Sequence, residues 1–306
     1  MKIAVLGGAG AMGCLFGGRL AQAGHAVTLV DVAGEAVEAI NANGLLVTNE
    51  SGPVETIRVC ATADPSQAGV ADLIIVLVKG QHTEAAMSRA LSLVGENSWV
   101  LTLQNGWGNT ARLAQIVGES KVLAGVTLHS VTTLAPGHIQ HAGRGPTTLG
   151  ELDGSVSPRL TRIRQALSEA GFEVDLTGNI VKVIWSKLAL NVCALPACAL
   201  LRFRSGELVE HFGTIELMKA LLHEVVAVAN TQGIDLGFEE RWEAITRQLE
   251  RASRVRASML QDVENRRPTE IDTITGAIVE CGRRMNIPTP YNSALFWLVK
   301  SLQETF

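Results

Sequence analysis

Lys187 lies in the stretch Trp185–Pro196, WSKLALNVCALP, among Trp185, Leu188, Leu190 and Val192. An ammonium in apolar surroundings loses hydration, which disfavours its charge and moves its pKa toward values useful for proton transfer. The same lysine on a half-buried helix can instead reach water and carry no chemistry. Asn191 follows four residues later, on the same helical face, and Leu195 continues that stripe. A second patch, Ala257–Asp272, ASMLQDVENRRPTEID, offers Ser258 and Glu270, separated by a proline-containing turn able to bring them to one point. Thr269 reads there as a helix N-cap and Glu270 as the first helical residue, where the helix dipole favours a carboxylate whatever its function.

A different chemistry is written at the N-terminus, MKIAVLGGAGAMG. Gly8, Gly10 and Gly13, with Ala11 and Met12 between the last two, form G-x-G-x-x-G after an apolar strand and before a helical pattern. Glycines there permit a tight turn and let backbone N–H groups approach a pyrophosphate at the positive end of the next helix. In this register Gly7 is one residue more than the turn needs. Asp31 ends the second strand, about twenty positions on, where a carboxylate accepts hydrogen bonds from the adenosine ribose. It also repels a 2′-phosphate, and the next charges are Glu35 and Glu38, so NADH is favoured over NADPH. An Asp serving only as a helix cap is the alternative. Lys79 and Asn105 both follow apolar strand patterns, at the strand ends where doubly wound sheets bind ligands. A solvated lysine and an Asn-Gly turn are their plainer readings.

The elements that must position these groups change character along the chain. Ile3–Leu6, His25–Val30, Ala71–Val78 and Ser98–Leu103 read as strands, with helices at Cys14–Ala23 and Gly34–Asn43 and a hairpin over Gly44–Ala61 around Ser51-Gly52-Pro53. Lys121–Gly150 is strand-like, Pro158–Ala170 an amphipathic helix, and Gly171–Leu176 a last strand. Helices then follow at Ile180–Leu201, Glu207–Gln232, Phe238–Met259, Thr269–Met285 and Pro290–Gln303. The change from alternating βα to helical patterning predicts an α/β Rossmann-type domain over 1–178 and an all-α domain over 179–306.

At 306 residues with 47% hydrophobic content the chain can bury a substantial core, and a net charge of −4 with no basic run disfavours nucleic acid or a lipid surface as partner. The five cysteines are scattered without a C-x-x-C pair, as expected of thiols in a reducing cytoplasm. The N-terminus starts directly on a strand, so no signal peptide is expected. Leu188–Leu201 carries no charge but is short and contains Pro196, so a buried helix rather than a membrane span is expected. His129, His138 and His141 lack the spacing of a metal pair and are read as structural; no metal is expected.

These pieces together resemble the ketopantoate reductase (2-dehydropantoate 2-reductase) family. The resemblance rests on the glycine fingerprint, Val78-Lys79, Gln104-Asn105-Gly106, the Lys187 to Asn191 interval, and Ser258–Asp262 followed by Thr269–Asp272. It implies a helical second domain like that of the 6-phosphogluconate dehydrogenase group, with the active site in the cleft between domains, and a 2-oxo acid substrate reduced by NAD(P)H. Lys187 then matches the general acid toward the substrate carbonyl, Glu270 its supporting acid, Asn105 the asparagine between cofactor and substrate, and Lys79 the strand-end lysine of the site. Asn191 and Ser258 match substrate contacts. Helical second domains of this type often pair into homodimers. Two positions depart from the family pattern: Leu195 replaces a second asparagine, and Asp31 stands where a basic residue is more usual. Both favour, as an alternative, a dehydrogenase of another hydroxy or oxo acid on the same scaffold. A non-catalytic dinucleotide sensor is a further alternative, against which Lys187 and Glu270 argue.

Overall fold

A computed structural model describes residues 1–50, 52–252 and 255–306, and the chain divides into two compact units. The first comprises Met1–Gln104 and Asn109–Ile180, the second Asn105–Gly108 and Val181–Phe306.

The first unit runs β1 (Lys2–Leu6), α1 (Ala11–Gln22), β2 (Ala26–Val30), α2 (Gly34–Asn43), β3 (Leu45–Asn49), β4 (Glu55–Ile57), β5 (Cys60–Thr62), β6 (Ala71–Val76) and α3 (Thr83–Arg89). It continues with β7 (Val94–Thr102), α4 (Asn109–Val117), β8 (Val122–Thr127), β9 (Ser130–Ala135), β10 (His138–Gly143), β11 (Thr147–Gly150), α5 (Pro158–Glu169) and β12 (Val174–Leu176). The central strands are apolar throughout because both sheet faces are covered. Ile3, Val5, Leu73 and Ile75 enter one core cluster, while Ala4, Leu6, Ile74 and Val76 enter the other. β1 pairs in parallel with β2 on one side and β6 on the other, with Ile3 opposite Leu73 and Leu6 opposite Val76.

The main sheet has eight strands in the order β12-β11-β8-β7-β6-β1-β2-β5, parallel except where β8 meets β11. The chain winds outward through β1, β2 and β5, then returns to lay β6 on the other side of β1. That reversal opens a crevice at the carboxyl ends of β1, β2 and β6, the usual ligand position in such sheets. A smaller sheet, β4-β3-β10-β9, takes the middle of the region read as strand-like. β3 and β4 form the expected antiparallel hairpin, whose Ser51 lies outside the described residues, whereas β5 leaves it to pair with β2.

The second unit contains α6 (Ile180–Leu201, beginning one residue before it), α7 (Phe212–Thr231), α8 (Phe238–Arg251), α9 (Ser258–Glu264), α10 (Thr275–Met285) and α11 (Pro290–Gln303). The helix expected over 238–259 is thus two helices, with Ser253 and Arg254 between them outside the described residues. α6 is long and apolar enough to cross a membrane by length and composition. Its Trp185, Leu188, Ala189, Val192 and Cys193 instead form the core of the helical unit. The buried Glu224 of α7 ties α11 to this core, accepting hydrogen bonds from the Tyr291 and Asn292 N–H groups at 2.8 and 2.9 Å. It thereby satisfies donors that the start of a helix leaves open.

Candidate functional site

β1 ends at Leu6, and Gly7 turns the chain with φ +78°, donating its N–H to the Val30 carbonyl. A Cβ there would lie 2.6 Å from the Val78 nitrogen, so Gly7, read from sequence as surplus, is the residue that makes the turn. Gly13 is equally constrained, since a Cβ would fall 2.1 Å from the Gly7 carbonyl oxygen. At Gly8 the Leu29 Cα would be 2.7 Å away, whereas at Gly10 the nearest atom is the Gly7 oxygen at 3.2 Å. These approaches seat the start of α1 directly on the turn. Gly10 is the N-cap of α1, without a capping side chain among the described residues and without an acid in the first turn. The amides of Ala11, Met12 and Gly13 are the first of the helix and have no intrahelical acceptor. An anion such as a pyrophosphate fits this end.

Asp31 stands beside the loop. Its Oδ2 accepts from Ala9 N and its Oδ1 from Ala33 N, both at 3.0 Å, and each oxygen keeps lone-pair capacity for a further donor. Asp31, Gly7, Gly10 and Lys79 line a cleft of about 390 Å³ at the sheet's carboxyl edge. β6 ends at Val76, two residues short of the expected strand, so Lys79 sits on the loop that leads into α3. The cleft also includes His82 and Arg89, which sequence patterning did not single out because they lie on the turn before α3 and at its far end.

In the helical unit Lys187 is half-buried on α6. Burial lowers its ammonium pKa to about 8, while the Glu270 carboxylate acts in the opposite sense. Glu270 is not the first residue of a helix. Its carbonyl accepts from Thr273 N and Ile274 N in an isolated turn, which the Thr269 hydroxyl supports by accepting from Ile271 N at 3.2 Å. Ile274 then departs from helical geometry, φ −102° and ψ −89°, so α10 starts only at Thr275. The turn is held against the segment that carries Asn105. Trp107 N donates to the Thr273 carbonyl at 2.9 Å, and Gly106, at φ +89°, comes so close that a Cβ would lie 2.4 Å from that oxygen. Asn105 Nδ2 donates to Glu270 Oε2 at 3.4 Å. Trp107 packs edge-on against the fully buried Trp185 at 5.4 Å between centroids, a contact not read from sequence.

Asn191 is buried on α6, one turn beyond Lys187. Ser258 opens α9, is exposed, and makes no hydrogen bond with Glu270 among the described residues. The structure therefore brings Lys187, Glu270 and Asn105 into one electrostatic and hydrogen-bonded group. His129 and His141 contact each other at 3.0 Å, and no cluster of three or more metal-binding side chains occurs among the described residues.

A crossover sheet with a glycine turn open to a pyrophosphate and, in the same chain, a helical unit bearing a lysine of depressed pKa define a dinucleotide-dependent oxidoreductase. Residues 3–154 match the family described as ketopantoate reductase PanE/ApbA, and residues 179–303 match its C-terminal part. The chain belongs to the ketopantoate reductase PanE/ApbA family. It is 34% identical to the 2-dehydropantoate 2-reductase of Halobacterium salinarum, covering 98% of each chain. Against that of Pyrococcus horikoshii it is 32% identical, over 98% of this chain and 97% of the relative. Among solved structures, a PanE/ApbA family ketopantoate reductase from Ralstonia eutropha superimposes with a TM-score of 0.91 at 32% identity, covering 100% of this chain and 99% of the other. D-mandelate dehydrogenase with NADH and anilino(oxo)acetate superimposes with 0.94 at 27%, covering 99% and 98%.

Proposed function

We propose that the protein reduces a 2-oxo acid to the 2-hydroxy acid, with ketopantoate as the substrate best supported by its full-length relatives. The observation that carries the reading is Lys187 with its pKa lowered to about 8 and Glu270 as its charge partner. When bound, the reduced nicotinamide supplies the hydride. The amides of Ala11, Met12 and Gly13 hold the pyrophosphate, Asp31 the ribose, and Lys79 adds positive charge to the same cleft.

Lys187 donates a proton to the carbonyl oxygen as the carbonyl π pair moves onto it, so that oxygen never carries a full charge in an apolar setting. Glu270 keeps Lys187 protonated near neutral pH, and Asn105 orients the Glu270 carboxylate. Asn191 and Ser258 are assigned to the substrate. In the reverse direction neutral Lys187 accepts the hydroxyl proton.

Asp31 favours NADH, because a second negative charge beside its carboxylate is repelled and the lining of the cleft next to it, Val32, is uncharged. A second reading keeps the chemistry and changes the substrate. Leu195, two turns beyond Lys187 on α6, favours a 2-oxo acid with an apolar substituent, and the likeness to D-mandelate dehydrogenase with NADH is consistent with it. Steady-state assay of ketopantoate and of phenylglyoxylate, each with NADH and NADPH, tests both readings. Turnover of ketopantoate supports the first and selective turnover of phenylglyoxylate the second. Tight cofactor binding without turnover across a panel of 2-oxo acids overturns the enzymatic assignment.

A further inference from the structure

Arg89, the last residue of α3, reaches across the dinucleotide cleft and donates Nη2 to the Ala63 carbonyl at 2.8 Å. Ala63 follows β5, whose Thr62 carbonyl accepts from Asp31 N, so the guanidinium is anchored on the strand neighbouring the ribose carboxylate. The cleft it lines has aliphatic walls in Val32, Ala63, Pro65 and Ala86 and polar groups in Asp31, Lys79 and His82. The nearby Asp64 carboxylate accepts from Ser66, through its N–H at 3.0 Å and its hydroxyl at 2.9 Å, and these bonds, more than the Arg89 charge, lower its pKa. Aliphatic walls together with the planar guanidinium of Arg89 suit a flat, uncharged heteroaromatic ring, while Lys79 supplies the charge for the phosphates of the same ligand.

We propose that Arg89 closes the adenine end of the cleft and stacks its guanidinium plane on the purine of the bound dinucleotide, an inference that rests on the dinucleotide reading above. One N–H is committed to Ala63, which limits side-chain rotation before the ligand arrives, and the side chain is otherwise exposed. Asp31 on the ribose side separates this contact from 2′-phosphate recognition.

The test is fluorescence titration of NADH, NADPH and reduced nicotinamide mononucleotide, which lacks adenine, against the full chain. Arg89→Ala is expected to raise the Kd for NADH about fivefold and to leave that for the mononucleotide unchanged. Arg89→Lys, which keeps the charge and loses the plane, is expected not to restore it. The proposal is overturned by an unchanged NADH Kd, by an equal loss for the mononucleotide, by a loss confined to NADPH, or by full rescue with lysine. Failure of the unsubstituted protein to bind either dinucleotide would instead overturn the dinucleotide reading, and with it this one. Arg89 is exposed, and matching thermal unfolding of the variants excludes misfolding as the cause.

Discussion

Asn105 and Glu270 meet, Nδ2 to Oε2 at 3.4 Å, although 165 positions separate them in the chain. The contact exists because Gly106 and Trp107 lie against the Thr273 carbonyl, which fixes Asn105 beside the turn bearing the carboxylate. Glu270 in turn raises the pKa of Lys187 against the larger lowering caused by burial. Asn105 thus contacts the carboxylate that opposes the burial-driven lowering of the Lys187 pKa.

Replacing Glu270 tests that coupling. Glu270→Gln removes the charge that opposes desolvation, so the Lys187 pKa falls further below about 8. Reduction needs the protonated lysine, so the alkaline decline of kcat/KM begins at lower pH than in the unsubstituted enzyme. A decline at the same pH in both would disprove the coupling.

Cofactor choice is expected to respond to Asp31. Asp31→Arg removes acceptors for the ribose hydroxyls and the bond from Ala9 N, and it introduces a cation suited to a 2′-phosphate. The ratio of Kd values, NADPH over NADH, should fall at least tenfold in equilibrium titration. An unchanged ratio would remove Asp31 from the ribose site.

Gly13→Ala is expected to abolish dinucleotide binding, since the new Cβ would meet a backbone oxygen at 2.1 Å and α1 cannot keep its seat on the turn. Gly10→Ala, with its nearest neighbour at 3.2 Å, should be milder. Calorimetric titration with NADH distinguishes them, and equal affinities in the two variants would contradict the packing argument.

Much of this loop was legible in the sequence because strand, glycines and helix are contiguous and each follows a local rule. The register was read with Gly7 as a spare, since spacing alone does not reveal that Val78 crowds that position. In the helical unit the apolar run around Lys187 already implied a depressed pKa. The surroundings of Glu270 were not legible: Thr269 and Glu270 imitate a helix start, and only the backbone at Ile274 shows that the helix begins later. Nor does periodicity foretell Trp107 against Trp185, or Arg89 in the cleft, because both depend on contacts between segments distant in sequence.

The helical unit has a stability prediction of its own. Glu224 accepts three hydrogen bonds at the start of α11, from Tyr291 N, Asn292 N and Asn292 Nδ2. Glu224→Ala leaves buried donors without partners and should cost about 2–3 kcal/mol. Urea unfolding followed by circular dichroism measures this, and a loss below about 0.5 kcal/mol would show that the carboxylate does not hold α11.

The central claim is that Lys187 is the proton donor. Its direct test is the pH dependence of kcat/KM for 2-oxo acid reduction by the unsubstituted enzyme and by Lys187→Met. The unsubstituted enzyme should hold a plateau at lower pH and fall tenfold per pH unit above about 8, where the lysine loses its proton. Lys187→Met should be roughly 10²–10⁴ slower and lack that inflection. Activity within a few fold of the unsubstituted enzyme, or the same inflection in the variant, would contradict the assignment.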